Sequence, residues 1–288
     1  MLNNYIRSLA AKRHIAGPDL KSAGGICRWS STNGYATTIS VWTHYGDNKH
    51  EVAQEYMKIV DAISQNGFES YLSIKPSAIK FDLNLFEQII KEIPGSKIRI
   101  HFDSFIPEYA ERSFRFFKQA KAIYDNLGYT LPARWQRSFY DAYELAGMKV
   151  PVRIVKGQWT DPGDEIISVE ENFLKIVHML IDHVPLIALA THDEHLAEKA
   201  IRIFDNTKTD FELEQFFSLP SIGDAVQAKF DSKKIKVRFY VAYGEPYLQY
   251  NLRTAYERPA MIGWFVSDLF NRRQRINIKF SNKMMERL

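Results

Sequence analysis

The residues of this chain that could carry chemistry are polar side chains standing at the ends of short apolar runs. They are Lys75, His101, Asp103, Arg134, Arg153, Lys156, Thr191, His192, Asp193, Glu214 and Tyr240. Lysine and arginine outnumber the acids in this set, and both bind carboxylates and phosphates well. The set therefore favours an anionic ligand, such as a phosphate-bearing cofactor or a carboxylate substrate.

The lysines and the second histidine of this set each have a simpler interpretation. Lys75 or Lys156 is more often a salt-bridge partner than a catalytic group, and His192 could be a structural histidine with its hydrogen bonds satisfied. A lyase that forms a Schiff base on Lys75 or Lys156 is a further hypothesis, which requires a lysine with a depressed pKa.

Simpler interpretations also exist for the remaining charged residues. His101 and Asp103 stand two apart on a predicted strand, so both side chains point to one side and can pair with each other. Arg134 can pair with Asp103 or with Glu214. Metal binding by His101, Asp103 and His192 is conceivable, but no spacing motif supports it.

The elements that must position these residues are eight short apolar runs, which alternate with longer helical patterns. We predict strands at Thr37–Thr43, Ser70–Lys75, Lys97–Phe102, Tyr129–Ala133, Val150–Lys156, Pro185–Ala190, Asp210–Leu213 and Ile235–Ala242. Such alternation predicts a parallel sheet, and closure into a (β/α)8 barrel is the economical arrangement. A doubly wound open sheet is the structural alternative, which the lack of a Gly-x-Gly-x-x-Gly turn after any strand disfavours. Barrel enzymes place their chemistry at the carboxyl ends of the strands.

The segments between the runs have apolar residues at helical spacing. We predict helices at Glu51–Gln65, Asn84–Ile93, Glu108–Leu127, Phe139–Ala146 and Glu170–His183, the first of them closed by Asn66-Gly67. The organisation we expect is an N-terminal helical extension over residues 1–36, a barrel over 37–270 and a basic C-terminal tail over 271–288.

Composition limits the class of protein. Of the 288 residues, 45% are hydrophobic and 25% charged, as in globular proteins. Cys27 is the one cysteine, so neither an intramolecular disulfide nor a cysteine-based zinc cluster is possible. We see no signal peptide or membrane-spanning run, and we expect a cytoplasmic protein. The basic tail is either solvated or a segment that contacts a membrane surface or a partner, and nothing resembles a nucleic-acid-binding module.

Four sequence blocks, each at a predicted strand end, resemble those of the flavin-dependent proline dehydrogenases. Arg153-Ile154-Val155-Lys156-Gly157 matches the family's Arg-Leu-Val-Lys-Gly, and Ala190-Thr191-His192-Asp193 its Ala-Thr-His-Asn/Asp. Phe211-Glu212-Leu213-Glu214 resembles Phe-Glu-Phe-Gln. Arg238 to Glu245 follows Arg-x-Tyr-Val-Pro-Tyr-Gly-Glu, and the resemblance extends from about Arg13 to Leu269.

The resemblance implies non-covalently bound FAD and the oxidation of proline, or of a related cyclic or secondary amino acid, to an imine. Hydride would pass to flavin N5, and a quinone or oxygen would accept the electrons. The implied cofactor-binding residues are Arg153, Lys156, Gly157, Trp159, Thr191, His192 and Glu214. The implied substrate-side residues are Lys75, His101, Asp103, Arg134, Tyr240, Tyr250, Arg253 and Glu257. The last three have i, i+3, i+7 spacing and share a helix face.

The departures from the family cluster at the same predicted site. Thr254 replaces the second of two arginines on the substrate helix, and His101 stands where the family has an acid, unless Asp103 substitutes for that acid. Further departures are Pro132-Ala133-Arg134 for Gln-Ala-Tyr, Gly157-Gln158-Trp159 for Gly-Ala-Tyr, Glu214 for glutamine and Ala242 for proline. Arg134 is a candidate replacement for the missing arginine. The alternative to an altered substrate is a flavin-free, non-catalytic barrel that binds an anionic ligand or a protein partner.

Overall fold

Eight parallel strands close into a barrel, with β8 hydrogen-bonded to β1. The structure, a computed structural model, describes residues 15–44, 46–104, 106–157, 168–230 and 234–244. The strands are β1 (Ala36–Val41), β2 (Ser70–Ile74), β3 (Ile100–Phe102), β4 (Leu127–Pro132), β5 (Val152–Val155), β6 (Leu186–Ala190), β7 (Asp210–Phe216) and β8 (Val237–Tyr243). The (β/α)8 barrel is confirmed, and the open-sheet alternative is wrong.

Helices alternate with the strands around the barrel. They are α1 (Leu20–Thr32), α2 (Lys49–Asn66), α3 (Leu83–Lys91), α4 (Ala110–Lys121), α5 (Arg137–Met148), α6 (Val169–Leu180), α7 (Glu194–Ile203) and α8 (Gly223–Gln227). Short 3-10 turns at Pro94–Ser96 and Pro107–Tyr109 precede β3 and α4. Within the described ranges, none of these helices has the length and apolar character needed to cross a bilayer.

Local signals set where several helices begin and end. The side chain of Asp82 accepts hydrogen bonds from two backbone amides at the start of α3, and that of Asp193 accepts one from Leu196 N at the start of α7. These bonds satisfy amides that have no partner inside the helix. Gly67 ends α2 in the left-handed conformation, with φ 63°, which confirms the predicted Asn66-Gly67 cap.

The largest boundary error concerns the helix predicted over Glu108–Leu127. The helix ends at Lys121, whose ammonium bonds to the backbone carbonyl and the side chain of Asp125, and Leu127 already belongs to β4. Leu127 is fully buried and pairs with Ile100 of β3. It is therefore part of the sheet, although it fits the spacing of apolar residues that predicted the helix.

The two faces of the barrel wall differ in polarity. Ile39, Leu72, Ile154 and Leu213 are fully buried in the apolar layer between strands and helices. The alternate residues of each strand point into the barrel, where many are polar or charged. Because the apolar side chains pack between the strands and the helices, the interior of the barrel is available for the polar side chains of the candidate site.

The chain before β1 packs on the last strand. Ala16 N donates to Ala242 O at 2.6 Å, and Gly244 N donates to Gly17 O at 3.0 Å. Helix α1 lies within the predicted N-terminal extension, and its Trp29 packs on Phe239 at a centroid distance of 6.5 Å. The predicted tail, 271–288, lies outside the described residues, and the domain division stays a prediction.

Candidate active site

Arg153 is the central charge of the barrel interior. Its Nη1 donates to Asp103 Oδ1 at 2.5 Å and its Nε donates to Glu214 Oε2 at 2.9 Å, while the residue is only 3% exposed. Burial alone would lower the pKa of Arg153, but Glu214 and Asp103 outweigh that effect and raise it well above its ordinary value. Arg153 is therefore a permanent cation inside the barrel, neutralised by two carboxylates.

Asp103 connects Arg153 to a tyrosine of the last strand. The hydroxyl of Tyr240 donates to Asp103 Oδ2 at 2.6 Å, and the guanidinium of Arg153 lies 5.2 Å from the centroid of the Tyr240 ring. Burial, together with the nearby Asp103 carboxylate, raises the pKa of Tyr240 well above its usual value. Tyr240 is thus a neutral, fixed wall of the interior.

Glu214 anchors the opposite side of Arg153. Its carboxylate also accepts hydrogen bonds from the hydroxyls of Thr38 at 2.8 Å and Tyr71 at 3.0 Å. These contacts join β1, β2, β5 and β7, so they cross the interior of the barrel. The sequence analysis missed both Thr38 and Tyr71.

A second buried ion pair was also missed. Arg238 donates from Nε to Glu212 Oε1 at 2.7 Å and from Nη2 to Oε2 at 3.0 Å, a two-point contact, and its guanidinium lies 4.2 Å from the centroid of the Tyr71 ring. The available signal was the two-residue spacing of Glu212 with Glu214 on β7 and of Arg238 with Tyr240 on β8. That spacing places all four side chains on one face.

His101 does not pair with Asp103, so that interpretation is wrong. It is 1% exposed, and neither ring nitrogen has a hydrogen-bond partner among the residues that the structure describes. Burial, and then the positive charges of Arg153 and Arg99, lower the pKa of His101 well below its ordinary value. The ring is therefore neutral. It lies against Gly128, where an added Cβ would be 2.4 Å from His101 Nδ1.

The two candidate lysines differ in their surroundings. Lys156 pairs with Asp193 at 2.7 Å, with 42% and 39% of the two side chains exposed, which confirms the salt-bridge interpretation for this lysine. Lys75 follows β2, and its ammonium makes no hydrogen bond within the described ranges but lies 5.7 Å from the centroid of the Trp42 ring. Burial lowers the pKa of Lys75, and Asp103 partly opposes this effect.

His192 uses both ring nitrogens within the protein. Nε2 accepts a hydrogen bond from Phe216 N at 3.0 Å, so it carries no proton, and Nδ1 donates to Pro220 O at 3.1 Å. The ring therefore holds the loop after β7, in agreement with the structural interpretation. It can present only its ring face or edge to a ligand.

The remaining predicted residues fall into two groups. Arg134 donates from Nε to Gly157 O at 3.0 Å, whereas Asp103 and Glu214, its predicted partners, are bound by Arg153. Thr191 Oγ1 accepts from Asp193 N at 3.0 Å. The other predicted residues lie outside the described ranges, and they are Trp159, Tyr250, Arg253 and Glu257.

The expected surplus of free cations is thus smaller than the sequence indicated. Arg153 is bound by two carboxylates and Lys156 by one, whereas Lys75, which is partly buried, makes no ion pair with a described residue. No group of His, Cys, Asp and Glu among the described residues could hold a metal ion.

Comparison with known proteins gives consistent matches over most of the chain. Proline dehydrogenase 1 of Bacillus subtilis subsp. natto is 23% identical over 269 residues, covering 89% of each protein. Proline dehydrogenase of Deinococcus radiodurans is 22% identical over 278 residues, covering 90% of this chain and 89% of the relative. No protein-family model matches the chain.

Solved structures show the same fold. Proline utilization A from Bdellovibrio bacteriovorus superposes with a TM-score of 0.67 at 13% identity, over 82% of this chain. The protein of that name from Corynebacterium freiburgense has a TM-score of 0.66 at 15% identity, over 92% of this chain. The chain spans about a third of these longer proteins, 31% of each.

Proposed function

We propose that this chain, a divergent member of the proline dehydrogenase family, is a flavin-dependent oxidoreductase that oxidises proline or a related secondary amino acid to an imine. The observation that carries the proposal is the Asp103–Arg153–Glu214 cluster with Tyr240 and Lys75. It stands inside a closed barrel, and Arg153, Glu214 and Tyr240 lie within the sequence blocks that resemble those of the family.

One feature of the described interior suits FAD. Arg153 Nη2 is buried and has no hydrogen-bond partner in the described part of the protein, so one donor of this cation is still available. Gly157 has φ 85°, and a Cβ there would lie 2.8 Å from Pro132 Cβ, so glycine permits the close approach of the segment after β5 to the end of β4. We propose that FAD lies against Arg153, Lys156, Gly157, Trp159, Thr191, His192 and Glu214. The bound flavin would supply the hydride acceptor.

On the substrate side, the chain's own residues select the reactive form and orientation of the amine. A partly buried ammonium at Lys75 disfavours a second cation nearby, so the amine binds neutral, with the lone pair that hydride loss requires. Tyr240 forms a wall whose hydroxyl is held by Asp103. Tyr250, Arg253 and Glu257 complete the substrate side in this proposal, with Arg253 binding the carboxylate.

The proposal includes an electron acceptor, a quinone or oxygen, and a cytoplasmic location. Contact with a membrane surface through the basic tail, 271–288, is the route by which a membrane quinone would be reached. His101 and Arg134 are proposed to shape the substrate end of the site, because they are departures from the family.

The flavin-free barrel is the second candidate. Two observations favour it: both carboxylates around Arg153 are already bonded to it, and both nitrogens of His192 bond to the protein. Under this hypothesis, the ion pairs in the barrel interior stabilise the fold and do not bind a cofactor.

Titration of flavin-stripped protein with FAD separates the two candidates. We expect Lys156→Met to weaken FAD binding about tenfold, since a charged hydrogen bond contributes roughly 1.5–3 kcal/mol. Lys199→Met is the matched control, because Lys199 is 45% exposed and pairs with Glu170 at 2.6 Å on the outer helices. No FAD binding by the parent protein, or equal binding by both variants, would contradict the proposed cofactor site.

A further inference from the structure

Glu214 is a buried carboxylate with donors from three other strands. It is 2% exposed, and it accepts hydrogen bonds from Arg153 Nε of β5 at 2.9 Å, the Thr38 hydroxyl of β1 at 2.8 Å and the Tyr71 hydroxyl of β2 at 3.0 Å. Because each of these partners donates to it, the carboxylate acts only as an acceptor, which is the hydrogen-bonding pattern of the ionised form. Glu214 therefore places a full negative charge inside the barrel.

The cation beside Glu214 is already bound from its other side. Arg153 Nη1 donates to Asp103 Oδ1 at 2.5 Å, so a single guanidinium contacts two carboxylates. Within the described ranges, Arg153 is the one cation that forms an ion pair with Glu214. The two carboxylates together carry one more unit of charge than Arg153 does.

The two buried acids of β7 differ in how their charge is balanced. Glu212 has an arginine of its own, because Arg238 contacts both of its oxygens, at 2.7 and 3.0 Å. Glu214 shares Arg153 with Asp103. Glu214 is also the acid that departs from the related sequence block, where a neutral glutamine of the same size stands. The charge of Glu214 is therefore an addition to the site.

The open donor of this cluster is Arg153 Nη2, which is buried and has no hydrogen-bond partner among the described residues. A group that binds there lies next to the excess negative charge of the two carboxylates. A flavin that takes up two electrons and one proton gains one negative charge, and a carboxylate nearby makes that gain less favourable.

We propose that Glu214 lowers the reduction potential of the bound flavin. The inference rests on the proposed function and deepens it, since it assigns to Glu214 a part in the redox balance of the same site. Arg153 alone would favour the reduced flavin, and the charge of Glu214 offsets this effect. A lower potential makes the reduced flavin a stronger reductant toward its electron acceptor and the oxidised flavin a weaker oxidant of the amine.

The test is the midpoint potential of the FAD-loaded full chain, measured from the flavin absorbance during anaerobic reduction with dithionite beside a reference dye. Two unit charges roughly 10 Å apart, at an effective dielectric constant of about 20, change an equilibrium about tenfold. We therefore expect Glu214→Gln to raise the ratio of reduced to oxidised flavin about tenfold at a fixed potential. For a two-electron couple this is a shift of about 30 mV.

Two control variants separate the charge of Glu214 from its size and from general surface charge. Glu214→Asp keeps the charge and should leave the potential near that of the parent. Glu170→Gln removes a charge from a surface pair with Lys199 and should not move the potential. Asp103→Asn removes the other carboxylate of Arg153 and should also raise the potential. This variant decides the question if Glu214→Gln does not fold or does not hold FAD.

The possible failures of this inference and of the proposed function are distinguishable. An unchanged or lowered potential in FAD-loaded Glu214→Gln, or in Asp103→Asn where that variant decides, would overturn the inference alone. Equal shifts in Glu214→Gln and Glu214→Asp would do the same, because the charge would then not be the cause. A parent protein that binds no FAD would overturn the proposed function and this inference with it.

Discussion

Replacing Glu214 by glutamine tests whether the buried ion cluster is as strongly coupled as its geometry indicates. The change keeps the size of the side chain but removes the charge that lies 2.9 Å from Arg153 Nε. It also leaves one oxygen to serve donors from Arg153, Thr38 and Tyr71. Arg153 would remain buried, with Asp103 as its sole carboxylate partner in the described interior.

The magnitude follows from what remains after the change. Breaking a buried ion pair completely destabilises a protein by about 3–5 kcal/mol, and losing a charged hydrogen bond by about 1.5–3 kcal/mol. Because Arg153 keeps Asp103, we expect Glu214→Gln to lower the free energy of unfolding by about 2–3 kcal/mol. Urea denaturation measures this change in the free energy of unfolding from the shift of the transition midpoint, provided that the m value is the same in both proteins.

The control for this experiment is Glu170→Gln, which removes a charge from a half-exposed surface pair with Lys199. Such pairs contribute at most about 1 kcal/mol. A Glu214→Gln protein within about 0.5 kcal/mol of the parent, or no less stable than the Glu170→Gln control, would refute the reasoning that Arg153 depends on both carboxylates.

Three other substitutions have defined outcomes. Because the pKa of His101 is lowered in the folded protein, only the unfolded chain takes up a proton on this residue just below about pH 6.5. The free energy of unfolding therefore decreases as the pH is lowered. In His101→Leu this decrease, followed by denaturation between pH 7 and 5, should be smaller by up to about 1.4 kcal/mol per pH unit. Gly128→Ala should destabilise by about 1–3 kcal/mol, because the new Cβ would lie 2.4 Å from His101 Nδ1, and His101→Ala should recover part of that loss in the double variant. Arg253→Ala should lower kcat/KM for a carboxylate substrate, by an amount that corresponds to a loss of about 2–4 kcal/mol of transition-state stabilisation. An unchanged KM would reject the carboxylate role.

The barrel could be predicted from the sequence because each strand buries an apolar face against the helices. Ile39, Leu72 and Ile154 belong to that face, and their runs are bounded by turn residues. Where the prediction failed, tertiary pairing overrode a local pattern. Leu127 continues a helical spacing along the chain, but its pairing with Ile100 places it in β4.

The sequence predicted which residues lie in the candidate site better than it predicted the contacts between them. Lys75, Asp103, Arg153 and Tyr240 do converge, because parallel strands bring their carboxyl-terminal halves together. The sequence did not show which side chains form ion pairs and hydrogen bonds across the barrel.

His101 illustrates this limit. It stands two residues from Asp103, as a pair on one face would, yet Asp103 is held by Arg153 and Tyr240 from across the interior. Cross-barrel distances depend on strand stagger and on barrel closure. Neither is encoded in the spacing of residues along one strand.

The most direct test of the proposed oxidation is the visible absorbance spectrum of the FAD-loaded protein when proline is added without oxygen. The account predicts that proline or a related secondary amino acid bleaches the flavin and yields the imine in an amount equal to the flavin reduced. A protein that binds no flavin, or a bound flavin that neither proline nor any other secondary amino acid bleaches, would contradict it.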